Sequence, residues 1–496
     1  MIASRTTRRA GGSAGSAVPA LCAIAALALV LVAALAGATS AQAEPVLQPA
    51  VIDWLREAGI EPAEAGVAIS RLDGSGRGAR VWALNADQPF NPASTMKLVT
   101  TWAAMSVLGP QFRWRTGLYV RGEITDGVLD GDLVIRGGGD PKFVIEDLAA
   151  WIAQIRAAGL REIRGDLVID DAIFEPVDET LAPFDGDASQ PYNALPSGAL
   201  MNFKATRVIV RPLGARASVE LDPPLADVAI ENRVHVQRGP CRYGAAGLKV
   251  RDSNGPRPTI RIEGPYSTGC GEQGLFAAVL GHVEFARAFF AASWRAAGGI
   301  WRGGARIERG AATGKPWIEW ISPRTLADVV DDVNHFSNNV MARQLLLQLA
   351  VAAGARPASV ADGRATIRHW LVARGLDLPG LVLDNGSGLS REGRASAVDL
   401  VRLLADADGA PEGDRFRASL PRLGETGTVR YRLVDDPVAG HAWIKTGSLA
   451  DVRAIAGYLE AASGRRYALA MIVNGPRAAA SATAQDRLLR WLHENG

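Results

Sequence analysis

The chain runs to 496 residues, more than one ordinary domain needs, so two to four are expected. A hydrophobic share of 48% with 21% charged residues reads as globular. The 54 basic residues almost balance 52 acidic ones, which leaves no electrostatic reason to expect a nucleic-acid partner.

Arg5, Arg8 and Arg9 open the chain, and an uncharged run from about Val18 to Ala38 follows. Ala41-Gln42-Ala43 then supplies the small residues a signal peptidase requires. Residues 1–43 are expected to be a cleaved export signal of the general secretory type. The twin-arginine alternative rests on Arg8-Arg9 and a poorly matching Ala-Gly-Gly. An uncleaved leader, nearly long enough to span a bilayer, would instead tether the protein peripherally to a membrane. Export to the periplasm sets the redox compartment. Cys22 belongs to the leader, so Cys241 and Cys270 remain as an even pair, for which a disulfide is expected and two free buried thiols are the alternative. His235, His282, His335, His369, His441 and His493 show no ligand spacing, so no metal is expected.

Past the leader, residues 65–70 and 79–84 read as strands separated by a Gly-rich turn. Asn91-Pro92-Ala93 breaks that pattern and starts an amphipathic helix of about 15 residues, marked by Met96, Val99, Trp102, Ala103 and Met105. From about 113 to 305 short alternating segments dominate, at 118–120, 132–135, 166–169, 208–210 and 259–262. Helices are expected near 146–158 and 283–297 within this stretch. Helical texture returns at Ser322-Pro323, over about 324–335, 338–352, 361–374 and 397–406. The end reads strand, turn, strand, helix, at 452–459, 467–473 and 480–492. Two strands before the first helix and several after the helical block can join one antiparallel sheet. The β-rich middle is then an insertion.

Lysine is scarce: only Lys97, Lys142, Lys204, Lys249, Lys315 and Lys445 occur among the 54 basic residues. Arg stays protonated at working pH, whereas a desolvated Lys can lose its proton, so a Lys where Arg is the default invites a chemical explanation. Lys97 ends Ser94-Thr95-Met96-Lys97, and positions i and i+3 share a helix face, so the amine can reach the hydroxyl. Ser337-Asn338-Asn339 stands between two expected helices. Lys445-Thr446-Gly447-Ser448 ends an expected strand. Each alone has an ordinary explanation, a helix cap or an exposed lysine. Together and in this order they form the trio of penicillin-binding proteins and β-lactamases. Gly137-Gly138-Gly139 lacks the Lys-Ser/Thr ending of a phosphate loop and reads as a tight turn. Asp384-Asn385-Gly386-Ser387-Gly388 lacks further ligand-spaced acids and reads as a turn lining the site.

The chain resembles the D-alanyl-D-alanine carboxypeptidase/endopeptidase family of low-molecular-mass class C penicillin-binding proteins. Besides the trio, Gly138-Gly139-Asp140-Pro141, Tyr192-Asn193-Ala194-Leu195-Pro196-Ser197, Asp384 to Arg391, Leu420-Pro421 and Gly427-Thr428 agree, from about residue 50 to the end. Ser-Asn-Asn replaces the Ser-Asp-Asn of many relatives. The long interval from Ser94 to Ser337 fits the family with a large insertion there. The resemblance implies an α+β fold, a serine transpeptidase/β-lactamase-like domain built of an antiparallel sheet flanked by helices. That domain would comprise 44–112 and 306–496, with inserted β-rich domains at 113–305.

The implied activity is hydrolysis of D-alanyl-D-alanine, of D-alanyl-diaminopimelate cross-links, or of both, in peptidoglycan stem peptides. It would proceed through an acyl-enzyme, with no cofactor and with β-lactam antibiotics as covalent inhibitors. Ser94 would be the nucleophile, Lys97 its base, Ser337 a proton relay, and Asn339 a positioning amide. Lys445, Thr446, Gly447 and Ser448 would hold the terminal carboxylate. Arg391 and Asp187 would meet the carboxylate and amine of a diaminopimelate side chain. A β-lactamase, with its extra Glu in Glu-x-x-Leu-Asn, and a wall-binding module without a nucleophile are the alternatives. No such Glu stretch lies between 340 and 445, and every catalytic position is filled. A His-dependent serine hydrolase is excluded, since no Gly-x-Ser-x-Gly elbow follows the leader.

Overall fold

Ala65–Arg71, Val452–Glu460 and Arg466–Asn474 are nearly continuous runs of small and β-branched residues, the pattern of strands covered on both faces. In the computed structural model, which describes residues 47–180, 183–252 and 257–496, they form the middle of a five-stranded antiparallel sheet. Its order is Ala442–Leu449, Val452–Glu460, Arg466–Asn474, Ala65–Arg71, Ala79–Leu84. Alternate residues Ala454, Ala456, Tyr458, Ala468, Ala470 and Ile472 face one core, shared with the helix Ala397–Asp408. The expected leader, with Cys22, lies outside the described residues. Among those residues no helix is long and apolar enough to cross a membrane.

The helix after Pro92 departs from the amphipathic expectation. Ala93–Met96 is a 3-10 turn, the α-helix proper is Lys97–Leu108, and every residue from Lys97 to Met105 is buried. It is the central helix of the domain. Trp102, Met105 and their neighbours pack into one cluster with residues of Leu326–Phe336, Asn339–Ala352 and Ala397–Asp408, so only the last turn, at Val107, reaches solvent. Its polar residues are satisfied inside: Thr100 Oγ1 donates to Gly386 O at 2.7 Å and Thr101 Oγ1 to Lys97 O at 2.6 Å. Two short helices, Leu47–Glu57 and Gly413–Ala418, escaped the sequence reading.

The middle of the chain builds three further sheets. The largest orders Ile300–Trp301, Glu162–Ile163, Val128–Arg136, Arg115–Thr125 and Ile318–Ile321, with Leu167–Asp170 on Val128–Arg136 and Ala305–Ile307 on Leu167–Asp170. Two three-stranded sheets follow: Lys249–Asp252, Thr259–Ser267, Ala229–Gln237; and Gln273–Ala277, Thr206–Leu213, Arg216–Asp222. The helices Ile145–Ala157 and His282–Ala296 share one apolar cluster with all three sheets. The expected end of the insertion at 305 falls inside the strand Ala305–Ile307. The large sheet closes only with Ile318–Ile321, which pairs with Arg115–Thr125 and puts Trp320 in the same cluster. The texture change at Ser322 marks the boundary better than the change at 305. Cys241 and Cys270 are joined by a disulfide in this region.

At Gly137-Gly138-Gly139, a Cβ on Gly138 would stand 1.9 Å from Arg115 O and one on Gly137 2.1 Å from Gly198 O. Close backbone packing accounts for these glycines. The same stretch is fastened to the helix Asn339–Ala352 by the buried Gln344, which donates to Gly139 O at 3.3 Å and Ser197 O at 2.9 Å and accepts from Ser197 N at 3.0 Å.

Candidate active site

Ser94 stands on a turn that two other segments hold in place. Asn91 accepts from Ala93 N at 2.9 Å and donates to Ser390 O at 2.9 Å. Ala93 sits at φ 45°, a left-handed conformation costly for a residue with a side chain. A Cβ at Gly388 would come within 1.8 Å of Ala93 O, and one at Gly447 within 2.6 Å of Pro92 O and 3.1 Å of Ser94 N. The loop 384–390 and the strand Ala442–Leu449 therefore press against the serine turn, and only glycine permits both approaches.

Lys97 is fully buried. Its Nζ lies 2.9 Å from Ser94 Oγ, 2.6 Å from Asn339 Oδ1 and 2.5 Å from Ser387 O. Burial first, then the charges of Lys445 and Arg343, hold this amine well below the ordinary lysine range. A neutral amine has two N–H donors and one lone pair. The Asn339 and Ser387 oxygens can only accept, so the lone pair faces Ser94, whose hydroxyl then donates to Nζ. That is the geometry of a base poised on its nucleophile.

Ser337 ends the helix Leu326–Phe336 in the left-handed conformation, φ 55°, and Asn338 then caps Asn339–Ala352 by accepting from Met341 N at 3.0 Å. The middle residue of this triplet is thus a helix cap, a task Asn and Asp perform equally well. The Asn338 substitution leaves the flanking Ser337 and Asn339 where they are needed. Lys445, also fully buried, donates from Nζ to Ser337 Oγ at 2.9 Å and to Thr446 O at 2.8 Å. Burial pushes its amine down to about 7. Thr446 Oγ1 donates to Thr428 Oγ1 at 2.9 Å, and Ser448 is exposed at the groove end of the strand.

Ser94, Lys97, Ser337, Asn339 and Lys445 thus come together as two hydrogen-bonded sets, Ser94–Lys97–Asn339 and Ser337–Lys445. Arg391 and Asp187 lie outside both. Arg391 is exposed, stacks over the Phe184 ring at 4.6 Å and stands 3.4 Å from Asp451 Oδ1. The Asp187 carboxylate accepts from Ser189 N at 3.0 Å, Ser189 Oγ at 2.6 Å and Gln190 Nε2 at 2.8 Å, and these bonds hold it below the usual carboxylate range. Phe184 brings the loop of Asp187 to Arg391. Reasoning from sequence passed over the Ser387 carbonyl, Thr428 and Arg343. A backbone oxygen leaves no mark in sequence, Thr428 shows only as the second residue of Gly427-Thr428, and Arg343 lies one helical turn past Asn339.

Residues 47–495 match the D-Ala-D-Ala carboxypeptidase 3 (S13) family. A D-alanyl-D-alanine carboxypeptidase of Actinomadura sp. is 29% identical over 471 residues, covering 89% of this chain and 83% of that protein. The crystal structure of penicillin binding protein 4 (dacB) from Haemophilus influenzae superposes with a TM-score of 0.75 at 23% identity, over 90% of this chain and 99% of that one. The same protein complexed with a β-lactam gives 0.71 at 22% identity over the same shares of the two chains, 90% and 99%.

Proposed function

The chain belongs to the D-Ala-D-Ala carboxypeptidase 3 (S13) family and is a serine-type D-alanyl-D-alanine carboxypeptidase; from that premise we propose a role for each side chain of the groove. The observation that carries the assignment is the buried Lys97 amine 2.9 Å from Ser94 Oγ with no carboxylate among its hydrogen-bond partners.

Ser94 Oγ attacks the carbonyl of the penultimate D-alanine while its proton passes to Lys97 Nζ. The Ser94 and Ser448 backbone N–H groups receive the oxyanion. The C–N bond then breaks, and the leaving D-alanine amine takes a proton from the Ser337 hydroxyl, which Lys445 replenishes across their 2.9 Å contact. The proton that Lys97 took from Ser94 passes on to recharge Lys445; water then attacks the acyl-enzyme, neutral Lys97 takes a proton from that water, and it returns the proton to Ser94 Oγ as the ester bond breaks. Asn339 fixes the Lys97 amine. Protonated Lys445 with Thr446, Gly447 and Ser448 holds the terminal carboxylate.

The substrate in this reading is a peptidoglycan stem peptide met in the periplasm after export, and the D-alanyl-diaminopimelate cross-link is a second bond the same groove can cleave. Arg391 meets the diaminopimelate carboxylate from the end of the loop 384–390, and Asp187 meets its amine from the insertion, 113–305 with the sheet extending it to Ile321. A β-lactam would acylate Ser94 by the same attack. The test is incubation with a fluorescent penicillin followed by peptide mapping. Label on Ser94 is expected, and label on any other residue overturns the assignment.

A further inference from the structure

Arg343 belongs to the helix Asn339–Ala352, one turn beyond Asn339, and the reaction as written does not use it. Its Nη1 donates to Ala194 O at 3.1 Å, a carbonyl of the Tyr192 to Ser197 stretch. The acid closest to it in effect, Asp384, is already engaged by Arg364 at 2.6 Å. A largely buried guanidinium with no ion pair among the described residues is expensive, and a Leu or Met would fill the volume at lower cost. The cations around Lys97 are Lys445 on the strand and Arg343 on the helix. Its other neighbours are neutral: Ser94 on its own turn, the Asn339 amide oxygen and the Ser387 carbonyl.

We propose that Arg343 is a positioning residue for acylation, a permanent positive charge anchored on the Ala194 carbonyl that keeps Lys97 unprotonated and able to take the Ser94 proton. The proposal rests on Lys97 being the base. Arg343 stands beside burial and Lys445 among the causes that depress the Lys97 amine. The two cations are not equivalent. Lys445, at about 7, loses its charge as pH rises past neutrality and then no longer repels a proton from Lys97. Arg343 stays charged throughout. It would also couple the insertion to the base, because the carbonyl that holds it belongs to the inserted segment.

The test is the pH dependence of acylation by a fluorescent penicillin in Arg343→Gln and Arg343→Lys. Gln can still donate to the Ala194 carbonyl but carries no charge; Lys keeps the charge. The rate rises with pH as Lys97 deprotonates, so removing the neighbouring cation should move that limb up by about one pH unit in Arg343→Gln. The rate on the limb then falls about tenfold and recovers at high pH. Arg343→Lys should leave the limb in place. A limb unmoved in Arg343→Gln, whatever the plateau rate, overturns the proposal and reduces Arg343 to a strap on the insertion. Arg343→Met is the second neutral variant. With so few lysines, ε-13C-lysine NMR of the unaltered protein adds a check needing no variant: a Lys97 amine titrating in the ordinary range also overturns it. Loss of Ser94 labelling in the unaltered protein would instead sink the catalytic assignment itself.

Discussion

The groove and the insertion treat positive charge in opposite ways. On the insertion's large sheet, Arg121 meets Asp132 at 2.6 Å and Glu308 at 2.7 Å, and Arg306 meets Asp132 at 2.8 Å and Asp166 at 2.5 Å. Hydrogen bonds from both arginines outweigh the burial of Asp132 and hold it at about 2, and the arginines are raised in turn. Every charge there stays on. In the groove, Lys97 and Lys445 are fully buried without a carboxylate partner among the described residues, and both are pushed down. Burial without pairing favours the neutral amine, whereas pairing at the surface fixes the ion and contributes little stability. One region spends its cations on shape, the other keeps two of them able to titrate.

The sharpest way to break this contrast is Ser94→Ala. Penicillin labelling should vanish while the circular-dichroism spectrum and the Cys241–Cys270 bond persist. Undiminished labelling would mean the groove is not where acylation occurs. Lys97→Arg comes next. A guanidinium cannot hold the neutral form, so acylation should slow by at least about 100-fold. Arg306→Lys, on the insertion, should leave the acylation rate unchanged. Lys445→Arg should fall between them if carboxylate binding is its main duty. A Lys97→Arg enzyme acylating near the normal rate would remove Lys97 as base.

What sequence could disclose follows the same division. That Ser94, Lys97, Ser337, Asn339 and Lys445 come together in two hydrogen-bonded sets was legible from residue type and spacing. The strands 65–70, 452–459 and 467–473 were legible because doubly covered strands are apolar without interruption. The central helix was misread as amphipathic because periodicity in Met96, Val99 and Trp102 cannot reveal that Thr100 and Thr101 also face protein, their hydroxyls bonded to backbone carbonyls. The end of the insertion was missed because Ile318–Ile321 is a four-residue strand defined by its partner Arg115–Thr125, far away in sequence.

Removing the disulfide separates stability from chemistry. Cys241→Ser with Cys270→Ser opens a loop with a sequence separation of 29 residues. A loss of roughly 3 kcal/mol is expected in denaturant unfolding, with the acylation rate of the folded protein unchanged. Equal loss in both would show that the groove depends on the insertion's integrity. Mapping that finds both thiols free in protein isolated without reductant would remove the bond from the account.

Lys445 predicts a pH effect whose sign can be worked out. Its folded amine, at about 7, lies below that of the unfolded chain, so the folded state binds fewer protons between about pH 7 and the ordinary lysine range. Stability therefore rises with pH across that window. Lys445→Met should flatten the rise in thermal midpoint between pH 7 and 9. Substrate binding should run the other way, KM for a D-alanyl-D-alanine peptide rising above pH 7 as the charge that meets the carboxylate is lost. A pH-independent KM would assign that carboxylate to another group.

The smallest expected effect on acylation is also the test of substrate class. Arg391 is exposed, stacked on Phe184 and near Asp451, so its charge stands at the rim, outside the hydrogen bonds of Ser94. Stems with a free diaminopimelate end should be cleaved much faster than acetylated lysine analogues, because only the former offer Arg391 a second carboxylate and Asp187 an amine. Arg391→Glu should erase most of that preference and leave penicillin acylation nearly intact, since penicillin offers no such second carboxylate. The competing explanation is that Arg391 only pins the loop 384–390, which presses on the serine turn through Gly388 and accepts from Lys97 through the Ser387 carbonyl. In that case the reversed charge would disturb the base, and peptide cleavage and penicillin acylation would fall together. Parallel loss of both activities thus rejects the specificity role, and loss of the preference alone supports it.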